Sequence, residues 1–197
     1  MKIGRSTTLI YAVSKLDSPV GPLEIAATLR GIVRVRYVTW PVRAAKNPVY
    51  KKASAFAEEA RLQMEEYLAG TRTHFNVPFD LRGTLFQQRV WTALMRLQFG
   101  ARESYSGLAL KLGKIGGAQA IGQAVKLNPI AIIIPCHRIV PSEGLVDSTI
   151  IGGYNGGSKR KAWLLSHESG ALRPTLRKPW RDNIAQPGAG RKIPVNA

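Results

Sequence analysis

Apolar and basic residues alternate through Ile32, Val33, Arg34, Val35, Arg36, Tyr37 and Val38, the period-two pattern of a half-buried strand. Two further runs with strand character precede it, residues 8–13 and 23–28. A turn through Ser18, Pro19, Val20, Gly21 and Pro22 separates these two, and Arg30-Gly31 follows the second. Three strands this closely spaced imply an antiparallel meander. Residues 41–51 are polar, basic and interrupted by proline, so they read as loop. The period then changes. Phe56, Ala60, Met64 and Tyr67 or Leu68 recur every three to four residues, which predicts a helix over 53–68 that Gly70 ends. Val77-Pro78-Phe79-Asp80 reads as an extended linker or edge segment, and a domain boundary falls near 80–84.

Beyond it, Thr84 can cap a helix reaching about residue 98, with Leu85, Phe86, Val90, Leu94 and Leu97 on its apolar side and Gly100 as its stop. Residues 106–112 and 117–126 predict two short helices around a glycine turn at 113–116. That outline belongs to helix-turn-helix DNA readers and equally to plain helix packing. Asn128-Pro129 breaks the chain. The apolar run 130–134 predicts a buried extended segment that ends at Pro135 and delivers Cys136, His137 and Arg138. Residues 141–157 read as a long Gly- and Ser-rich loop, and 159–166 as a helix that leads into His167 and Glu168. The segment after Ser169 is basic and rich in Pro and Gly, the composition of a largely disordered tail with Trp180 as its one large anchor. The division expected is 1–80, 81–169 and a flexible 170–197.

Charge changes the picture most. Among 197 residues, 29 Lys and Arg face 12 Asp and Glu, a formal net charge of +17. The excess implies an anionic partner, nucleic acid or an acidic membrane surface, or else serves solubility alone. The 45% hydrophobic fraction argues against wholesale disorder. No apolar run approaches the ~20 residues of a spanning helix. Residues 1–14 lack the form of a secretory leader, so the expectation is an intracellular protein without a membrane partner. A single cysteine excludes an internal disulfide and a multi-cysteine zinc site, and His74 alone makes no metal site.

Cys136 is therefore the candidate for chemistry. It reads either as a buried structural thiol or as a nucleophile. In favour of the second, it stands where an apolar run leaves the core, and His137 and Arg138 follow it. An imidazole can take the thiol proton, and positive charge favours thiolate. Adjacent residues of an extended segment point to opposite faces, so His137 would act through a bridging water. Glu168 is the carboxylate favoured to orient it. His137 reads otherwise as a satisfied structural histidine.

The residues Ile134-Pro135-Cys136-His137-Arg138-Ile139-Val140 resemble the active-site signature of the O6-alkylguanine-DNA alkyltransferases, the methylated-DNA–protein-cysteine methyltransferases. Phe86-Gln87-Gln88-Arg89-Val90-Trp91, Ser104-Tyr105-Ser106-Gly107-Leu108-Ala109, Asn128-Pro129, Gly152-Gly153-Tyr154-Asn155-Gly156-Gly157 and Lys161-Ala162-Trp163-Leu164-Leu165-Ser166-His167-Glu168 resemble further segments of that family in the same order. The likeness spans roughly residues 8–169 and is strongest over 84–168.

It implies an α/β, ribonuclease H-like N-terminal domain on an antiparallel sheet and a mainly α C-terminal domain with a helix-turn-helix. It implies direct repair of O6-alkylguanine in double-stranded DNA, with O4-alkylthymine as a further substrate. The base is flipped, and its alkyl group moves irreversibly to Cys136 in one turnover, without metal or cofactor, by a monomer. The compartment implied is the cytoplasm with its nucleoid in a prokaryote, or the nucleus in a eukaryote. His137 would be the base through water, Glu168 its orienting group and Asn128 a hydrogen-bonding support of the cysteine loop. Tyr105 would press on the phosphate and donate to the base, and Arg138 would tie the loop down. Ser106, Gly117, Ala118, Gln119, Ala120, Gly122 and Lys126 would meet DNA, the small ones pressed against a minor groove. Pro135, Val140, Tyr154, Asn155 and Gly156 would join Tyr105 in lining the pocket.

The sequence departs from the family pattern in three places. Gln119 stands where the family has an arginine that fills the gap left by the flipped base; a glutamine can hydrogen-bond the orphaned cytosine but brings no charge and less reach, so either flipping is less well supported or another residue, such as Lys114 or Lys126, assists. Ala131 replaces a pocket proline of some members. The loop between Cys136 and Tyr154 is lengthened over 145–151, which alters the adduct range or is a neutral surface insertion. Two other classes compete: a damage binder that flags lesions without transfer, and a cysteine hydrolase using Cys136, His137 and Glu168.

Overall fold

The computed structural model describes residues 12–39 and 50–170. Strands β1 (Ala12–Leu16), β2 (Leu23–Ala27) and β3 (Ile32–Tyr37) form an antiparallel sheet in the order β1-β2-β3. Ala12 pairs with Ala27 and Leu16 with Leu23 across the first hairpin. Val35 pairs with Ile25 across the second. Helix α1 (Lys51–Leu68) lies against β1 and β2. It presents Ala53, Ala57, Ala60 and Met64, all fully buried at helical spacing, and the small residues let the helix approach the sheet closely. The turn before β3 depends on Gly31. Its φ is 148°, and a Cβ there would lie 2.3 Å from the Pro78 carbonyl oxygen.

The second edge of β3 takes two guests. At its start, Ile32 N–H donates to Pro78 O (2.8 Å) and Asp80 N–H to Ile32 O (2.9 Å). Further along, Val35 N–H donates to Pro129 O and Ala131 N–H to Val35 O, both at 3.0 Å. The expected edge segment at 77–80 and the chain leading to Cys136 thus both hang from one strand of the N-terminal sheet.

The C-terminal part is helical: α2 (Leu85–Met95), α3 (Tyr105–Lys111), α4 (Ala118–Lys126) and α5 (Ser158–Glu168), with a two-residue parallel pair of β4 (Glu103–Ser104) and β5 (Ile139–Val140). Thr84 caps α2 as expected, in a reciprocal box with Gln87. The indole of Trp91 on α2 donates to Ala124 O on α4 at 2.9 Å, which fixes the two helices together. No helix among the described residues is long and apolar enough to cross a membrane.

The structure corrects the sequence reading in several places. Helix α2 ends at Met95, not near 98, and α5 continues past 166 to Glu168. The run 130–134 is not an extended strand. Ile130 makes a single bridge to β3, after which the chain turns, with Ile134 N–H on Ile130 O and Ile132 at φ 71°. The residues from Cys136 to Arg138 then form one turn of 3-10 helix, not an extended segment. Ile130, Ile132, Ile133 and Ile134 are all buried, so every position was apolar whatever the backbone did. The strand expected at 8–13 is seen as β1 from Ala12 onward; residues 8–11, most of the 41–51 loop and the tail from 171 lie outside the described residues.

Candidate active site

Cys136 sits at the start of the 3-10 turn, 5% exposed. Asn128, just before the break in the chain, reaches forward to it. Its Nδ2 donates to Cys136 Sγ at 3.0 Å and to Ile134 O at 2.9 Å, while Oδ1 accepts from Ile130 N–H at 3.0 Å. One amide side chain thereby closes the loop and holds the sulfur. Burial pushes the Cys136 thiol up from its ordinary pKa, opposed by the Asn128 hydrogen bond and by the Lys161 charge.

Glu168, on the last turn of α5, gathers five donors. Tyr67 Oη donates to Oε1 at 2.6 Å, and His137 Nε2 stands 2.8 Å from the same oxygen. Arg138 donates to both oxygens, at 2.8 and 2.9 Å, and Gly100 N–H reaches Oε2 at 3.1 Å. Burial opposes ionisation of this carboxyl, but the bonds and charges of His137 and Arg138 outweigh it and hold its pKa well below the usual range. Burial conversely lowers His137, against the pull of Glu168, so the imidazole is neutral. Beside an ionised carboxylate, neutral His137 carries its proton on Nε2 and leaves Nδ1 as an acceptor. That Nδ1 is buried and has no hydrogen-bond partner among the described residues. Arg138 also donates to Leu97 O at 2.6 Å, which binds the cysteine turn to the end of α2.

Two cavities meet at Cys136. One, of about 400 Å³, is lined by Tyr105, Gly122, Lys126, Tyr154 and Asn155 among others. The other, of about 620 Å³, lies toward β3 and includes Asn128, Ala131, Tyr154, Asn155 and Gly156. Of the residues expected to line a pocket, Tyr105, Tyr154, Asn155 and Gly156 do so. Pro135 and Val140 line neither of the two; Val140 instead pairs with Ser104 in the β4–β5 ladder. The extra residues 145–151 also line neither.

Around the smaller cavity, α3 and α4 pack together, and a Cβ on Gly122 would come within 3.8 Å of the Tyr105 ring. Gln119 is exposed on α4, Ala118 and Ala120 are half-buried, and Gly117 is buried at the helix start. Ser106 Oγ lies 3.2 Å from Ser142 Oγ.

Three residues beside the site carried no assignment in the sequence. Lys161 is fully buried, donating to Ile139 O at 2.5 Å and Gly153 O at 3.0 Å. Burial, with Arg102 nearby, brings it down to about 8, against the pull of Cys136. Tyr67 and Tyr37 come from the N-terminal part. Lys161 closes a basic run with Lys159 and Arg160, so nothing in the sequence sets it apart.

Residues 10–81 match the ribonuclease-like domain of 6-O-methylguanine DNA methyltransferase, and residues 85–170 match its DNA binding domain. The chain belongs to the 6-O-methylguanine DNA methyltransferase family. The methylated-DNA–protein-cysteine methyltransferase of Mycobacterium leprae is 40% identical over 78% of this chain and 89% of its own. That of Methanosarcina barkeri is 34% identical over 80% of this chain and 97% of its own. The crystal structure of Mycobacterium tuberculosis OGT in complex with DNA superposes with a TM-score of 0.70, at 36% identity over 83% of this chain and 96% of that one. The family architecture is thus present: an N-terminal domain with an antiparallel sheet and a helical C-terminal, DNA-binding domain.

Proposed function

We propose that the protein repairs O6-alkylguanine in double-stranded DNA, moving the alkyl group irreversibly onto Cys136 in a single turnover. One observation carries the reading: the only thiol of the chain is held by Asn128 at the common wall of two cavities, next in sequence to an imidazole locked onto a buried carboxylate.

The geometry supports the following assignment of roles. The base, flipped out of the stack, enters the cavity of Tyr105, Gly122, Lys126 and Asn155. The thiol proton passes through one water to His137 Nδ1, while Glu168 holds Nε2–H and stabilises the imidazolium that forms. Sulfur forms a bond to the alkyl carbon as the carbon–O6 bond breaks. The electron pair of that bond goes to the guanine, which takes up a proton from Tyr105, and the proton left on His137 makes good the Tyr105 hydroxyl through solvent. Asn128 and Lys161 favour the thiolate; Arg138 keeps Glu168 ionised and the turn in place. The smaller cavity's helices α3 and α4 act as a helix-turn-helix pressed to the minor groove, where Ser106, Gly117, Ala118, Gln119 and Ala120 meet DNA and Gln119 faces the orphaned cytosine. We read residues 1–80 as a ribonuclease H-like domain, 81–169 as the transfer and DNA-binding domain, and 170–197 as a basic segment that adds attraction to phosphate. The protein acts as a monomer inside the cell.

The test is intact mass after incubation with a duplex oligonucleotide bearing O6-methylguanine. One added methyl in the wild type and none in Cys136→Ala is the expected result. Tight binding with unchanged mass would make it a damage binder, and turnover of simple esters without DNA would make it a hydrolase.

A further inference from the structure

Repair of a methylated base uses the smaller cavity. The larger one also touches Cys136 and has no part in that account. Any atom of the transferred group beyond its first carbon lies off the line from sulfur to O6, so it needs space that adjoins the sulfur. The cavity of about 620 Å³ supplies such space. Tyr154 and Asn155 line both cavities, and we take the Tyr154 side chain as the partition between base and substituent.

The partition is held from the other domain. Tyr37, the last residue of β3, also lines the larger cavity, and its Oη lies 3.0 Å from Tyr154 Oη. The two rings meet edge to face with centroids 6.1 Å apart. Tyr37 is in turn fixed by Arg160 of α5, whose guanidinium sits 4.5 Å from the ring centroid. The same guanidinium donates to Val20 O (2.6 Å) and to Gly156 O (2.8 Å). No slack remains: a Cβ on Gly156 would lie 2.4 Å from Tyr37 Cε2 and 2.6 Å from Tyr154 Cε1.

We propose that Tyr37 is a specificity-determining positioning residue of the N-terminal domain, which acts through Tyr154 to set the size of the alkyl group that Cys136 accepts. The proposal rests on the transfer reading above. A tyrosine with only a packing role would, when changed, slow transfer of every alkyl group alike or lower stability. A tyrosine that sets the partition changes the ratio between large and small groups.

The experiment measures single-turnover rates of Cys136 alkylation, by intact mass against time, on duplexes bearing O6-methylguanine or O6-butylguanine. Tyr37→Leu removes the support of Tyr154 and should raise the butyl-to-methyl rate ratio about tenfold, the low end of the discrimination an apolar pocket makes for one methylene. Tyr37→Phe keeps the ring under Arg160 and removes only the hydroxyl pair, so its ratio should rise by less, about threefold. If Tyr37→Leu fails to fold, Tyr37→Phe decides alone. A ratio equal to wild type in the folded variants, whatever the separate rates, overturns the proposal and leaves repair intact. Absence of methyl transfer by the wild type overturns the repair reading and the proposal with it.

Discussion

Replacing Glu168 with Gln keeps the shape of the site and removes its charge. Arg138, which donates to both carboxylate oxygens, then keeps a bond to the one remaining oxygen, meets an NH₂ in place of the other and loses the charge that balances it, with its own side chain only 7% exposed. Removing one partner of a buried ion pair costs about 3–5 kcal/mol, because a charge is left without compensation. For a chain of this size that corresponds to a drop in Tm of roughly 6–20 °C. The amide also offers its NH₂ to groups that already donate, Tyr67, His137 and Gly100 among them, which adds to the loss. Thermal unfolding followed by circular dichroism reads the effect, and the double variant Glu168→Gln with Arg138→Met isolates its cause. If the unpaired charge is responsible, the double variant recovers part of the stability that the single one loses. The pH dependence has a fixed sign. Folding lowers the pKa of Glu168, so its contribution is complete above the unfolded value near 4.5 and is lost as pH falls toward the folded one. The variant should therefore show a flatter decline of Tm in acid than wild type. A Tm within about 2 °C of wild type at neutral pH, well under the drop worked above, would refute the account of Glu168 as the charge that balances Arg138.

Further outcomes can be measured separately. Asn128→Ala removes a donor from Cys136 Sγ, so the midpoint of iodoacetamide reactivity against pH should move upward; an unmoved midpoint would show that the bond does not stabilise thiolate. Gly156→Ala forces a methyl against Tyr37 and Tyr154 and should cost about 1–3 kcal/mol in urea unfolding, whereas an open site would tolerate it. Gln119→Arg should raise the rate of repair in duplex but not in single-stranded DNA, since only the duplex has a stack to fill; equal effects on both would place Gln119 outside the flipping step. Affinity for duplex should fall with salt at a log–log slope of about −0.9 per phosphate contacted, and a flat response would make the net charge irrelevant to binding.

Local signals carried much of the architecture. Thr84 marks the start of α2 as a cap, and the alternation through β3 and the spacing in α1 point to their buried faces. The apolar run before Cys136 signalled burial but not its turn, because uninterrupted isoleucines fit any buried backbone. At the site, Cys136, His137 and Glu168 were legible from residue types and family motifs. Tyr67 was not. It reads as one more apolar position of α1, and only its hydroxyl, bonded to a carboxylate 101 residues away, gives it a second part. Tyr37 hides in the same way within the alternation of its strand. Its partner is 117 residues distant, and nothing within its own strand records that contact. Lys161 lies within a family motif, yet its burial on two carbonyls depends on a turn that periodicity does not describe.

The covered outer edge of β3 governs how the chain comes apart. A sheet edge normally offers unpaired amides to strangers, but here Pro129 and Ala131 occupy it. A fragment cut at residue 84 would strip the cysteine loop of that support and deprive Glu168 of Tyr67. The two halves, each matched by its own family domain, are therefore coupled through the reactive centre itself. They should melt in one cooperative transition, and the reactive loop should exchange its amide hydrogens as slowly as the strand that holds it.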